Sequence, residues 1–308
     1  MRIFVLSVVC CLTVACAQTP VGHNAERITP AAQQNNAIAN LVIAEPLVNS
    51  FQAQRAIAQL NQIVLNTKLS DEERAQMHFR RGLLYDSVGL NALAYYDFTQ
   101  AIRLQPDIPG VYNSLGIQHT LRGDFIEAYE AFDSTLEIDP EYDFAYLNRA
   151  LASYYDKRYE LSLSDINEFY AADTSDTYRI LWRYLIQYQI DPQAANISLE
   201  QAKSGVADTA WTIRLIDFYL GTITQNDLLG DLLVGLENQK QLSERLCEVY
   251  FYLGKYYADR AQPAVAKNFF KLALATNVFE FVEHRYARLE LELLNQSKTL
   301  ESQVSEDK

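Results

Sequence analysis

Five pairs of residues in this chain recur at a single spacing of 34: Gly82 with Gly116, Gly89 with Gly123, Ala94 with Ala128, Phe98 with Phe132, and Pro106 with Pro140. A fixed period of that length marks a supersecondary unit that cannot bury its apolar face alone and therefore stacks on copies of itself. The residue types describe the unit. Glycine inside a helix costs about 1 kcal/mol relative to alanine, so Gly82 and Gly116 at the same place in successive units require close approach of a second helix as compensation. Gly89 and Gly123 suit the turn between two helices, where a left-handed residue is wanted. Pro106 and Pro140 end the second helix, because the residue before proline is driven out of helical geometry. Ser70 and Glu73 have the S-x-x-E spacing of a capping box that starts the first helix.

The first unit spans 75–108 and the second 109–142. A degenerate third, 143–176, keeps Tyr146 but has Ala150 for the glycine, Ser162 for the alanine and Thr174 for the proline. A last unit, 247–280, restores the pattern with Tyr250, Leu253, Gly254, Tyr257, Ala266, Phe270 and Ala273. Between them, Trp182, Tyr184, Leu185, Tyr188, Trp211, Leu215, Phe218 and Tyr219 recur at helical spacings, as irregular helix pairs would. Residues 51–65 carry an amphipathic helical pattern, and 295–308 are polar, read as a disordered tail. Sustained strand alternation is absent from the sequence. The expected fold is all-α, a helix-turn-helix solenoid of 13 to 15 helices over residues 46–294. Spacing and residue types resemble the tetratricopeptide repeat.

Composition narrows the function. Of 308 residues, 26 are Lys or Arg and 39 are Asp or Glu, a formal net charge of -13, with no basic run to neutralise phosphates. Nucleic acid is therefore not an expected partner. The histidines His23, His78, His119 and His284 show no metal-ligand spacing, so neither metal nor cofactor is expected. Cys10, Cys11 and Cys16 all lie at the extreme N-terminus, which leaves Cys247 unpaired and excludes a disulfide-built fold. Cys247 reads as a small buried hydrophobe, and His284, beside Glu283 and Arg285, as a surface or interhelical residue.

Residues 1–15 have the charged start and short apolar run of a signal peptide, too short to span a bilayer. Ala15 before Cys16 resembles the lipobox of bacterial lipoproteins, although Thr13 stands where leucine is usual. That resemblance implies cleavage before Cys16 and acylation of its thiol and new amino group. With more than one acyl chain the attachment is stable. Ordinary secretion with cleavage near Ala17 is the alternative. Ala17, in place of aspartate, implies export to the periplasmic face of the outer membrane. Residues 16–45, polar and proline-containing, read as a linker with a reach of roughly 30 Å if flexible.

Beyond the generic repeat, SDEERAQ at 70–76, RRGLLYDSVGLNALAYYDF at 80–98, EAYEAFDSTLEIDPEY at 127–142, FYLGKYY at 251–257 and FVEHRYARLEL at 281–291, with the lipobox, resemble the NlpI family of outer-membrane tetratricopeptide lipoproteins. The resemblance spans roughly 51–294. It implies a homodimeric, non-catalytic periplasmic adaptor that brings a tail-specific, PDZ-containing protease to peptidoglycan hydrolases, notably a murein endopeptidase, and so limits wall cleavage and influences cell division. Residues 18–49 and the tail depart most, and any share of the N-terminal helices in dimerisation depends on the former.

In a solenoid of helix pairs the concave face comes from the first helix of each pair and receives peptides or partner helices. In register, the groove-facing places hold Phe79, Leu83, Asn113, Ile117, Leu147, Asn148, Leu151 and Tyr154. Where some tetratricopeptide proteins carry lysine to clamp a terminal carboxylate, Phe79, Asn113 and Leu147 stand, so that clamp is missing. An apolar groove with amides suits an internal segment or a helix. The other reading is that several of these residues cover the chain's own irregular helices. Two further functions stay open: an envelope-assembly scaffold with no protease partner, and a wall-cleaving enzyme using two carboxylates about 5–10 Å apart. The acidic residues scatter over helix faces with no marked pair, which favours the adaptor.

Overall fold

The computed structural model describes residues 41–48, 51–66, 68–207 and 211–306, with side chains as far as 296. The expected signal peptide, Cys16 and residues 16–40 of the expected linker lie outside the described residues. Among those described there are fourteen α-helices, one 3-10 turn and no strand. The first seven are α1 (Phe51–Val64), α2 (Asp71–Ser87), α3 (Asn91–Leu104), α4 (Pro109–Arg122), α5 (Phe125–Ile138), α6 (Asp143–Tyr155) and α7 (Tyr159–Ala172). The rest are α8 (Thr177–Ile190), α9 (Pro192–Lys203), α10 (Ile213–Tyr219), α11 (Gln225–Gly230), α12 (Gln239–Asp259), α13 (Pro263–Ala275) and α14 (Val282–Glu306). The architecture is the tetratricopeptide-type solenoid: α2/α3, α4/α5, α6/α7, α8/α9 and α12/α13 pack as pairs.

Each regular pair brings a helical glycine against the phenylalanine sixteen residues later. A Cβ built on Gly82 would lie 2.6 Å from Phe98, and one on Gly116 or Gly254 2.5 Å from Phe132 or Phe270. The degenerate third unit changes both partners together. Ala150 and Ile166 occupy the two places, both fully buried, so a slightly larger residue on one helix meets a smaller one on the other. Ser162 turns its hydroxyl to the Ala150 carbonyl at 2.7 Å, satisfying a polar group in a buried place. A second layer lies one residue earlier. Arg81 grips the buried Asp97 through two bonds of 2.6 and 2.7 Å, and Arg149 grips Asp165 at 2.8 and 2.7 Å. The second unit has the buried apolar pair Leu115 and Ala131 at the same places, again changing both members at once.

Helix ends follow local chemistry. The capping box is formed: the Glu73 amide donates to Ser70 Oγ at 3.1 Å and the Ser70 amide to Glu73 Oε2 at 2.9 Å. Gly89 and Gly123 adopt φ of 77° and 79° in the inter-helix turns.

The N- and C-terminal parts depart from the expected boundaries. Residues 41–45, expected in the linker, lie against the body, where Leu41, Val42 and Ala44 pack on the main core. At the other end α14 runs on to Glu306, through residues expected to be disordered. Its apolar face, with Tyr286, Ala287 and Leu289 buried, anchors the helix from its start, and no proline or glycine follows to stop it. Cys247, read as a small buried hydrophobe, sits in the middle of α12 and is fully buried.

Candidate interaction site on the concave face

The inner helices of the solenoid are α4, α6 and α8, and α14 lies along all three. It packs on α4. The ring of Tyr286 stacks on Tyr155 of α6, with centroids 5.0 Å apart, and meets the edge of Trp182 on α8 at 6.2 Å. Helix α12 closes the same side, with Phe251 5.5 Å from Trp182. Much of the expected groove is thereby filled by the chain itself.

The eight expected groove residues divide accordingly. Leu147, Asn148, Leu151, Tyr154 and Asn113 are buried. Asn148 Nδ2 donates to Asn113 Oδ1 at 3.0 Å, joining the inner helices of consecutive units. Tyr154 Oη takes a 2.7 Å bond from Lys255 Nζ on α12. Phe79 and Ile117 are half-buried, Phe79 against Phe98 and Gly110. Only Leu83, 44% exposed, is open. Among these positions the self-covering reading describes the C-terminal half of the groove, and the open reading the N-terminal edge.

Two cavities remain beside α14. One, of about 460 Å³, is lined by polar and apolar groups in nearly equal parts, the polar ones including Asp86, Gln118, Arg122, His284, Arg285 and Arg288. Arg285 Nη2 bonds Asp86 Oδ2 at 2.5 Å, and Gln118 Nε2 bonds Asp86 Oδ1 at 2.9 Å. His284 plays an interhelical role: Nε2 donates to the Leu274 carbonyl on α13 at 3.2 Å. Burial first, then Arg288 and Arg285, push its pKa down to about 4.

The other cavity, of about 320 Å³, is mainly apolar. Phe144, Phe169, Tyr178, Trp182 and Phe281 form its walls, with Glu248 and Glu283 at its inner side. Phe144, 56% exposed, leans on Phe169 at 5.7 Å, so the cavity opens to solvent past an aromatic edge. Arg179 at the rim is already engaged, 3.7 Å from the Phe169 ring centroid and paired with Asp143 at 2.5 Å. Among the described residues neither glutamate forms such an ion pair, and the nearby Arg245 only partly offsets the charge of Glu248. Tyr252 Oη donates to Glu283 Oε1 at 3.2 Å, and Tyr178 hydrogen-bonds Glu248. Burial, reinforced by the charge of Glu283, pushes Glu248 up to about 8, and burial raises Glu283 as well.

Because Glu248 titrates at 4.5 when unperturbed, the folded chain holds a proton between about pH 4.5 and 8 that the unfolded chain has lost, and stability falls as pH rises through that window. Glu248→Gln removes the share of the fall that Glu248 contributes. At pH 8.5 the variant is expected to be more stable by on the order of 2 kcal/mol, and at pH 4 indistinguishable. Thermal unfolding at the two pH values reads the difference.

Sequence reasoning missed this cavity. Phe144 and Trp182 carry helical periodicity alone, and Glu248 and Glu283 meet only because α12 and α14 return to α8. Among the described residues no group of three or more His, Cys, Asp or Glu is placed to hold a metal ion, and no helix is long and apolar enough to cross a membrane.

No protein-family model matches the chain. It is similar to solved tetratricopeptide-repeat structures at low identity. A tetratricopeptide repeat protein from Parabacteroides merdae is 14% identical, with 88% of this chain and 86% of that one covered and a TM-score of 0.48. The C-terminal part of a TPR repeat-containing protein from Cytophaga hutchinsonii is also 14% identical, covering 85% and 88%, with a TM-score of 0.41. Yeast Tom70 is 14% identical, covering 91% of this chain and 67% of its own, with a TM-score of 0.38.

Proposed function

We propose that this chain is a non-catalytic protein-binding scaffold whose partner enters the aromatic cavity between α6, α8 and the start of α14. The observation that carries the reading is an open, mainly apolar cavity walled by five aromatic rings. Buried aromatic anchors dominate binding energy at protein interfaces, so the fitting partner inserts an aromatic or aliphatic side chain.

In the finer form of the proposal the scaffold is lipid-anchored through Cys16 at the periplasmic face of the outer membrane. There it acts as a homodimeric adaptor between a tail-specific protease and peptidoglycan hydrolases such as a murein endopeptidase. The resemblance of the repeats and the lipobox to the NlpI family supports this form. Holding two enzymes on one tethered body raises their effective concentration by orders of magnitude with no chemistry of its own.

Capture from solubilised envelopes tests both levels. Phe144→Asp, at an exposed position, is expected to reduce recovery of bound partners at least tenfold while leaving the melting temperature within about 2 °C. Unchanged recovery removes the cavity from the interface. Absence of the protease from every eluate leaves a general envelope-assembly scaffold in its place. Release of muropeptides when the purified chain alone is incubated with peptidoglycan overturns the non-catalytic reading.

A further inference from the structure

Residues 41–48 form no helix or strand, yet the body holds them through their main chain. Tyr250 Oη donates to the Val42 carbonyl. Ser243 Oγ and Gln239 Nε2 both donate to the Glu45 carbonyl at 3.4 Å. Past Pro46, the Leu47 amide donates to the Thr276 carbonyl at 2.9 Å, and the Leu47 carbonyl accepts from Asn277 Nδ2 at 3.3 Å. The donors come from α12 and the turn after α13, so two elements form one cradle.

Three features distinguish this cradle from ordinary packing. The contacts read carbonyl and amide groups, which every extended peptide presents, and no side chain of the segment takes part in them. None of residues 41–48 is fully buried, and Ile43 and Val48 are 76% and 88% exposed, so the segment lies on the surface of the core with only Leu41, Val42 and Ala44 against it. Beneath it, Tyr250 and Ser243 are buried side chains whose hydroxyls point at the segment. With the segment gone those hydroxyls need another carbonyl or water, since an unmet buried polar group is costly.

We propose that the cradle on α12 and the α13–α14 turn is a binding site for an extended peptide, filled in cis by residues 41–48. It lies apart from the aromatic cavity and does not depend on the function proposed there. The fitting occupant is an extended segment with apolar side chains at the places of Leu41, Val42 and Ala44. It must also present free carbonyls at the places of Val42, Glu45 and Leu47. Main-chain recognition supplies affinity, and shallow apolar places supply selection. The covalent attachment of the chain's own segment sets a high local concentration that a free peptide must overcome.

The test replaces Leu41–Val48 by a Gly/Ser stretch of equal length and titrates the chain with a labelled peptide of sequence LVIAEPLV, followed by fluorescence anisotropy. Saturable binding is expected to the replaced chain, at least tenfold tighter than to the unreplaced one. Asn277→Ala or Tyr250→Phe in the replaced background should weaken it several-fold. Lack of saturable binding with helical circular dichroism preserved overturns the proposal. So does loss of that signal on replacement, which makes the segment part of the fold. Hydrogen exchange on the intact chain gives an independent reading. The Leu47 amide should exchange through local opening, far faster than the amides of central α12, and exchange only with global unfolding overturns a removable segment.

Discussion

Lys255→Met is expected to lower the stability of the fold by about 3–5 kcal/mol, on the order of 10 °C in melting temperature. Lys255 stands near the C-terminal end of α12 and is buried, as are the two groups it serves: Glu290 Oε1 on α14 at 2.5 Å and Tyr154 Oη on α6 at 2.7 Å. Tyr155 Oη donates to the same Glu290 oxygen at 3.0 Å. Burial alone would lower the lysine's pKa, but the Glu290 carboxylate and Tyr154 hold it above the ordinary range, so it stays charged. Asp259, one turn further along α12, is raised by burial and partly held down by the same ammonium. Removing the lysine leaves the Glu290 carboxylate buried with the Tyr155 hydroxyl as its hydrogen-bond partner, and an uncompensated buried charge is what makes such substitutions severe. The signature is in the cycle. Lys255→Met with Glu290→Leu should recover much of the loss, because an apolar pair of similar volume often equals a buried ion pair. Thermal or urea unfolding of the four proteins measures it. Additive losses would mean that the two residues are not coupled in the folded chain.

Gly254→Ala should also destabilise, by roughly 2–3 kcal/mol, although alanine is the better helix former by about 1 kcal/mol. The added methyl would lie 2.5 and 2.6 Å from two ring carbons of Phe270, itself fully buried and unable to retreat. The third unit supplies the remedy, since it places Ala150 with Ile166 where the regular units place glycine with phenylalanine. Gly254→Ala combined with Phe270→Ile is therefore expected to regain most of the lost stability. At Gly123, by contrast, nothing lies within 4 Å of an added Cβ, and any cost there comes only from its φ of 79°. If the double variant melts no higher than Gly254→Ala alone, the glycine–phenylalanine contact is not what holds the pair together.

These two predictions divide what is legible in the sequence from what is not. The glycine–phenylalanine contact is local. Both partners lie within one unit and recur with it, so the spacing of Gly82, Gly116 and Gly254 is enough to announce helix approach. The capping box at Ser70 and the left-handed turns at Gly89 and Gly123 are local too. Covering of the groove is not. Lys255 meets Tyr154 across 101 positions and Glu290 meets Tyr155 across 135, and neither partner carries a signal of the other. The groove register therefore places Leu151 and Tyr154 on the correct inner helix but gives no sign that α12 and α14 lie over them. Residues 41–45 read as linker because an extended segment held by its main chain has no periodicity to detect. The aromatic cavity escapes for a related reason: its lining comes from five helices, each looking like ordinary core when taken alone.

The return of α14 to the first repeat also bears on how the chain comes to be folded. Phe279 lies under Gly89, and Arg285 reaches Asp86, so the two ends of the repeat array touch. An open solenoid can mature one unit at a time as it leaves the ribosome, each new unit docking on the last. Here the α2–α3 turn lacks its neighbours until residue 285 has been synthesised, about two hundred positions later. The N-terminal units must wait with the inner face of α6 and α8 uncovered, including Leu151, Tyr155 and Trp182. That interval of apolar exposure, which lasts until α12 and α14 are in place, is when the chain most needs protection from aggregation.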